Sequence, residues 1–243
     1  MVLTKRSLPM NTNKIHVYKP KTKKGDGAVI IFTGGAYARR APHEAEPYAL
    51  EINRMGLWAF VVDYAVAPEV YPAALNDGIA AIELARQTEG VNPEKIAVMG
   101  SSAGGHLAAS LATLKDRSIH PNAQILCYPV TDMESHSGSY ENLLGGETDK
   151  ADEHNPTALA DESCPPAFIW HTSSDPSVDV KGTYRYATRL SELGVPVEMH
   201  IYPVGGHGLG LANGLYGRAT EPYVQRWIED LERWLELIGF INE

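Results

Sequence analysis

Ser102 stands at the centre of Gly100-Ser101-Ser102-Ala103-Gly104. A serine hydroxyl in such a setting is a candidate nucleophile. The apolar run Ile96-Ala97-Val98-Met99 precedes it, and the Ala- and Leu-rich stretch Leu107-Ala108-Ala109 follows. That order predicts a buried strand, a sharp turn carrying the serine, and a helix. The turn would hold Ser102 in a strained conformation of the kind that collects at reactive sites. A serine hydroxyl is a weak nucleophile until a base takes its proton, and the base needs an orienting acid. Downstream the chain supplies both. Asp175 follows the apolar run Ala167–His171, in Thr172-Ser-Ser-Asp175-Pro176. His207 follows a further run, between Gly206 and Gly208, where glycines let the loop fold back over the serine. We therefore expect Ser102 as nucleophile, His207 as base and Asp175 as acid, with Asp179 and Asp132 as competing acids.

An attacked acyl group develops an oxyanion, which needs fixed N–H donors. The N–H of Ala103, next to the nucleophile at the helix N-terminus, is one candidate. Gly35 and Ala36, in Phe32-Thr33-Gly34-Gly35-Ala36-Tyr37, are the others. His106 falls four residues past Ser102 on the same helix, beneath the serine, and reads as a packed histidine rather than a base. His171, at a strand end, is expected to order the loop carrying Asp175. His43, His136 and His154 lie on polar segments without metal-ligand spacing, so no metal and no other cofactor is expected.

Positioning these residues requires alternating strands and helices. Lys14–Tyr18 reads as an edge strand, and Ala28–Phe32 and Trp58–Asp63 as buried strands. Ile96–Met99, Ala123–Tyr128, Phe168–His171 and Val197–Tyr202 continue the set. Helices are expected at Pro47–Met55, Ala73–Arg86, around Thr183–Leu193, and at Glu221–Ile238. In the last of these Trp227, Leu231, Trp234 and Ile238 share one stripe. The pattern predicts an α/β fold with a mostly parallel central sheet and helices on both faces. Thr131–Cys164 breaks the rhythm. It is polar, and we read it as an insertion over the strand ends, a partial lid on a single domain spanning 1–243.

Composition narrows the function classes. The formal net charge of -9 argues against nucleic acid. No apolar run approaches the ~20 residues a membrane span needs. Met1–Met10 has no apolar core of a secretory signal. Cys127 and Cys164 read as reduced thiols of a cytoplasmic protein.

On these residues the chain resembles the α/β-hydrolases of the esterase/lipase type, and among them the small acetyl-xylan-esterase-like carbohydrate esterases. Thr33-Gly-Gly-Ala-Tyr37 stands where that group carries a His/Pro-Gly-Gly-Gly-aromatic loop. Asp63-Tyr-Ala-Val-Ala-Pro-Glu69, Gly100-Ser-Ser-Ala-Gly-Gly-His-Leu107, Pro166-Ala-Phe-Ile-Trp-His-Thr172 and Gly205-Gly-His-Gly-Leu-Gly-Leu211 match further segments. Two departures are Thr33 for His or Pro and Ala36 for the third glycine. The resemblance implies an α/β-hydrolase fold and a shallow site closed mainly by Thr131–Cys164. It implies a serine carboxylesterase acting on short acyl esters, such as acetyl groups on sugars or xylo-oligosaccharides. We read the open mouth as flanked by Tyr37, Tyr64 and the insertion, with aromatic faces against which a sugar ring can lie. The partner is then a small-molecule ester or acetylated sugar, and a homo-oligomer is compatible with the sequence. An aryl-formamidase-like amide hydrolase and a non-catalytic binding protein on the same scaffold are the alternatives.

Overall fold

The computed structural model describes residues 12–242, so the segment Met1–Met10 lies outside the described residues. Among the described residues seven strands form one sheet: β1 (Ile15–Tyr18), β2 (Ala28–Phe32), β3 (Trp58–Val62), β4 (Ile96–Ser101), β5 (Ala123–Cys127), β6 (Ala167–Thr172) and β7 (Val197–Tyr202). Their order is β1-β3-β2-β4-β5-β6-β7. Only β1 runs antiparallel, against β3. Strand order reverses between β2 and β4, which pair with Phe32 opposite Gly100. That switch point opens a crevice at the carboxyl ends of the strands, where ligands bind in open α/β sheets. The loop after β2 and the serine after β4 both empty into it.

The pleat divides the core. Ala28, Ile30 and Phe32 face one apolar layer, with Phe60, Val98, Leu107, Tyr186 and Leu190. Val29 and Ile31 face the other, with Tyr48, Ile52, Met99, Trp227 and Trp234. Helices α2 (Ala73–Gln87), α3 (Ala103–Ala112) and α6 (Val180–Glu192) cover the first face. Helices α1 (Glu46–Arg54) and α8 (Trp227–Leu237) cover the second. All five residues of β2 are fully buried. Each large one contributes about 1.5–3 kcal/mol by leaving water, so the loop beyond Phe32 leaves a rigid base.

Three boundaries differ from the sequence reading for local reasons. The fifth strand stops at Cys127 because Tyr128 takes a positive φ of 39°. Helix α6 begins a turn before Thr183 because the Asp179 side chain caps it, accepting from Lys181 N–H at 3.0 Å. The final helical stretch is two segments, α7 (Pro222–Gln225) and α8, meeting at Arg226.

Residues 131–164 hold α4 (Ser137–Leu144), a 3-10 segment Thr148–His154, and the single turn α5 (Pro156–Leu159). They bond to the elements around the crevice. The Asn142 side chain donates to Ala36 O at 2.9 Å, Tyr71 N–H donates to Leu143 O at 2.8 Å, and Lys115 bonds Leu159 O at 3.2 Å. Cys127 and Cys164 are both free and buried. Among the described residues no helix is long and apolar enough to cross a membrane.

Candidate active site

Strand β4 delivers the chain to Ser102 at φ 54° and ψ −120°, and α3 starts at the next residue. For a residue with a side chain this backbone costs on the order of 1–3 kcal/mol. Neighbouring bonds hold it: Ser102 N–H donates to Cys127 O at 3.0 Å, and Ser102 O accepts from Val130 and His106 N–H. The two glycines are a steric requirement. A Cβ on Gly100 would lie 2.0 Å from Gly104 O, and one on Gly104 would lie 2.2 Å from Phe32 O.

The structure brings the three expected groups into one relay. Ser102 Oγ lies 2.9 Å from His207 Nε2. His207 Nδ1 lies 2.7 Å from Asp175 Oδ2. An ionised carboxylate only accepts, so Nδ1 carries the proton and Nε2 is left to accept from the serine. Asp175 is fixed on every side. Its Oδ1 accepts from Ser177 N–H at 2.8 Å and Val178 N–H at 3.0 Å, and its Oδ2 also takes His171 Nε2 at 3.1 Å. Burial alone would raise its pKa, but the hydrogen bonds from His171 and His207 outweigh burial and hold the carboxyl well below the usual range. His171 is anchored in turn on Thr183 Oγ1 at 2.8 Å, so it orders the acid's loop.

The competing acids are committed elsewhere. Asp132 accepts two bonds from Arg185, at 2.8 and 2.9 Å, and Asp179 caps α6. His106 is also placed as a packed residue. Its Nδ1 accepts from Tyr37 OH at 2.8 Å and its Nε2 donates to His154 O at 2.9 Å. Burial pushes its pKa down to about 4, so it stays neutral.

Within the loop after β2, Ala38 and Arg39 N–H turn back onto Gly35 O, and Ala41 N–H onto Gly34 O. Gly34 N–H is taken by Glu44. Gly35 and Ala36 line the same cavity as Ser102 and His207. Their N–H groups and that of Ala103, the first residue of α3, have no acceptor among the described residues. The cavity, about 260 Å³, has Arg39, His136, Ser177 and Arg218 around it. Arg218 reaches over the loop that carries His207 and donates to Gly208 O at 2.7 Å and His207 O at 2.6 Å.

The two tyrosines expected at the mouth are corrected. Tyr64 is fully buried and its hydroxyl donates to Thr33 O at 2.6 Å, beneath the loop. Tyr37 is 2% exposed, edge-on to Tyr64 and His106. Neither offers a ring face to a sugar at Ser102. Leu143 and Leu159 of the insertion do line an apolar cavity, of about 200 Å³, together with Leu75, Leu107 and Leu114. Ser102 is not among its lining residues.

Sequence reasoning missed Glu44, Tyr128 and Arg218. Tyr128 reads as the end of a strand, and its ring instead lies 5.2 Å from that of His207. Its one local signal is the apolar run ending at Tyr128-Pro129, since a residue before proline leaves helical geometry.

A family model described as alpha/beta hydrolase fold matches residues 29–211. Among curated proteins, endo-1,4-beta-xylanase B of Butyrivibrio fibrisolvens is 31% identical over 76% of this chain and 33% of its own length. Acetylxylan esterase of Xylanibacter ruminicola is 29% identical over 87% of this chain and 45% of its own length. The chain therefore spans less than half of either relative. Among solved structures, the acetyl ester-xyloside bifunctional hydrolase from Caldicellulosiruptor lactoaceticus superposes with a TM-score of 0.85 at 38% identity. That match covers 94% of this chain and 89% of the other.

Proposed function

The chain belongs to the α/β-hydrolase family, and on that premise we propose that it is a serine carboxylesterase. Its substrates are short-chain acyl esters, chiefly acetyl groups on sugars or xylo-oligosaccharides. The observation that carries the reading is the unbroken relay Ser102–His207–Asp175, at 2.9 and 2.7 Å. Ser102 Oγ attacks the ester carbonyl carbon while His207 Nε2 takes its proton. The carbonyl oxygen becomes an oxyanion held by N–H of Ala103, Gly35 and Ala36. Collapse breaks the bond to the sugar oxygen, which takes the proton from His207. A water then gives its proton to His207 and attacks the acetyl-serine, releasing acetate and restoring Ser102. Asp175 remains ionised throughout and stabilises the imidazolium that forms twice.

The surroundings support a small acyl group and a hydroxyl-rich leaving group. Arg39, His136, Ser177 and Arg218 border the cavity and can bond sugar hydroxyls. Ser102 does not line the apolar cavity under the insertion, so the reading gives the acyl group no long channel. In this reading residues 131–164 act as a partial lid, since His136, the cap of α4, faces the cavity. The relatives named for acetyl ester or acetylxylan hydrolysis support the same substrate class. The proposed compartment is the cytoplasm, which the unpaired thiols Cys127 and Cys164 suit. The test is acetate release from peracetylated xylose and xylobiose, run beside N-formyl arylamides. Acetate release with poor formamide turnover is expected. Formamide turnover without acetate release would move the protein to amide hydrolysis.

A further inference from the structure

Glu44 is a carboxylate that the triad does not use, and it is 1% exposed. Removing an ion from water is costly unless hydrogen bonds replace the lost hydration. Glu44 has them. Its Oε2 accepts from Gly34 N–H at 2.5 Å, its Oε1 accepts from Tyr128 OH at 2.7 Å, and His43 Nε2 lies 3.3 Å from Oε1. Such charge-assisted bonds are about twice as strong as neutral ones. Against the burial that would raise it, the bonds from His43, Tyr128 and Gly34 keep the pKa below that of an ordinary glutamate.

The partners are the parts of the site that must not move. Gly34 immediately precedes the donor Gly35 and packs between nucleophile and carboxylate. A Cβ built on it would meet Glu44 Oε2 at 2.9 Å and Ser102 Cβ at 3.0 Å. The Tyr128 ring supports His207, and its hydroxyl also accepts from Gly210 N–H at 3.0 Å, three residues past the base. His43 Nε2 lies 2.9 Å from Gly208 O, on the same loop. Tyr48 OH continues the network, 3.3 Å from Tyr128 OH and 3.1 Å from Ser101 Oγ, beside the nucleophile. One buried carboxylate thus joins the loop after β2 to the loop after β7.

We propose that Glu44 is a positioning residue of this site: it holds Gly34 N–H and Tyr128 OH together, so that the oxyanion donors and His207 keep one placement relative to Ser102. The proposal rests on the esterase reading above. Its consequence appears in the transition state, because donors and base act together only there.

The test compares wild type, Glu44→Ala, Glu44→Gln and Tyr128→Phe. Each is measured for kcat and KM on p-nitrophenyl acetate, for inhibition by a trifluoromethyl ketone that mimics the tetrahedral adduct, and for Tm. Glu44→Ala should lower kcat by about 10²-fold, the scale of a roughly 1 Å misplacement, with KM little changed. Ketone affinity should fall in parallel with kcat/KM. Glu44→Gln should recover most of the loss, because its amide oxygen accepts from Gly34 and its amide N–H can donate to the Tyr128 oxygen. Folded Glu44→Ala with wild-type kcat and ketone affinity would overturn the proposal, even if its Tm is lower. If Glu44→Ala does not fold, Tyr128→Phe decides. A reduced kcat at unchanged KM supports the proposal, and wild-type kcat overturns it. A wild-type protein inert towards every ester overturns the esterase reading and this inference with it; full activity in Glu44→Ala overturns the inference alone.

Discussion

Replacing Asp175 by asparagine is predicted to disable the enzyme by trapping His207 in the wrong tautomer. The four bonds at this side chain decide the outcome. Two backbone donors, Ser177 and Val178 N–H, point at Oδ1 from 2.8 and 3.0 Å and cannot be turned away. The asparagine oxygen must therefore occupy the Oδ1 position, which places its NH₂ where Oδ2 faced His207 and His171. His207 Nδ1 then has to accept. Its proton moves to Nε2, which faces Ser102 Oγ at 2.9 Å and can no longer take the serine proton. In a well-studied serine triad the same substitution costs ~10⁴ in kcat. That corresponds to about 5.5 kcal/mol of barrier at ~1.4 kcal/mol per tenfold. The assay is kcat/KM on p-nitrophenyl acetate for Asp175→Asn, Asp179→Asn and Asp132→Asn, with Tm confirming folding. A folded Asp175→Asn retaining more than a tenth of wild-type activity would refute the reasoning. So would a crippled Asp179→Asn, since that carboxylate caps α6 and pairs with Lys181, away from His207.

Three further outcomes are expected. Gly100→Ala should lose both activity and several degrees of Tm, because its Cβ would sit 2.0 Å from Gly104 O; an active, equally stable variant in a thermal melt would contradict the elbow packing. Burial lowers the His106 pKa from 6.5 to about 4, so as pH falls the unfolded chain takes up the proton first. The neutral imidazole's contribution is complete above pH 6.5 and is lost down to pH 4, on the order of 3 kcal/mol. Urea unfolding of wild type should lose more stability over that range than His106→Gln does; parallel pH curves would count against it. Acetate should exceed butyrate, and strongly exceed octanoate, in kcat/KM of p-nitrophenyl esters. Each methylene buried in a real acyl channel would instead add ~0.8 kcal/mol of binding, so a preference for octanoate would contradict the site described.

The parts of the site that are legible in the sequence are those whose chemistry is written locally. Gly100-Ser101-Ser102-Ala103-Gly104 fixes its own turn, and glycines around His207 mark a loop that must approach closely. Asp175 is favoured over its competitors in the sequence because it lies on the loop at a strand's carboxyl end, whereas Asp179 sits deeper in the approach to the next helix and Asp132 follows an earlier strand. Tyr64 failed for a physical reason. It follows a strand that ends at the crevice, and an aromatic there reads as a mouth residue, yet its hydroxyl found Thr33 O and the ring went into the core. Glu44 was out of reach because its hydrogen bond with Tyr128 joins positions 84 apart in sequence. In the chain it is one of several acids near the start of α1. The end of α6 nearest the site shifted for a similar reason. Asp179, a competing acid in the sequence, is the helix cap.

The central claim is that Ser102 itself becomes acylated. Intact-mass and peptide mapping after treatment with a fluorophosphonate ester tests it most directly. The account predicts one adduct per wild-type chain, on Ser102, retained in Ser101→Ala and absent in Ser102→Ala. An unlabelled wild-type protein, or an adduct that persists in Ser102→Ala, would contradict it.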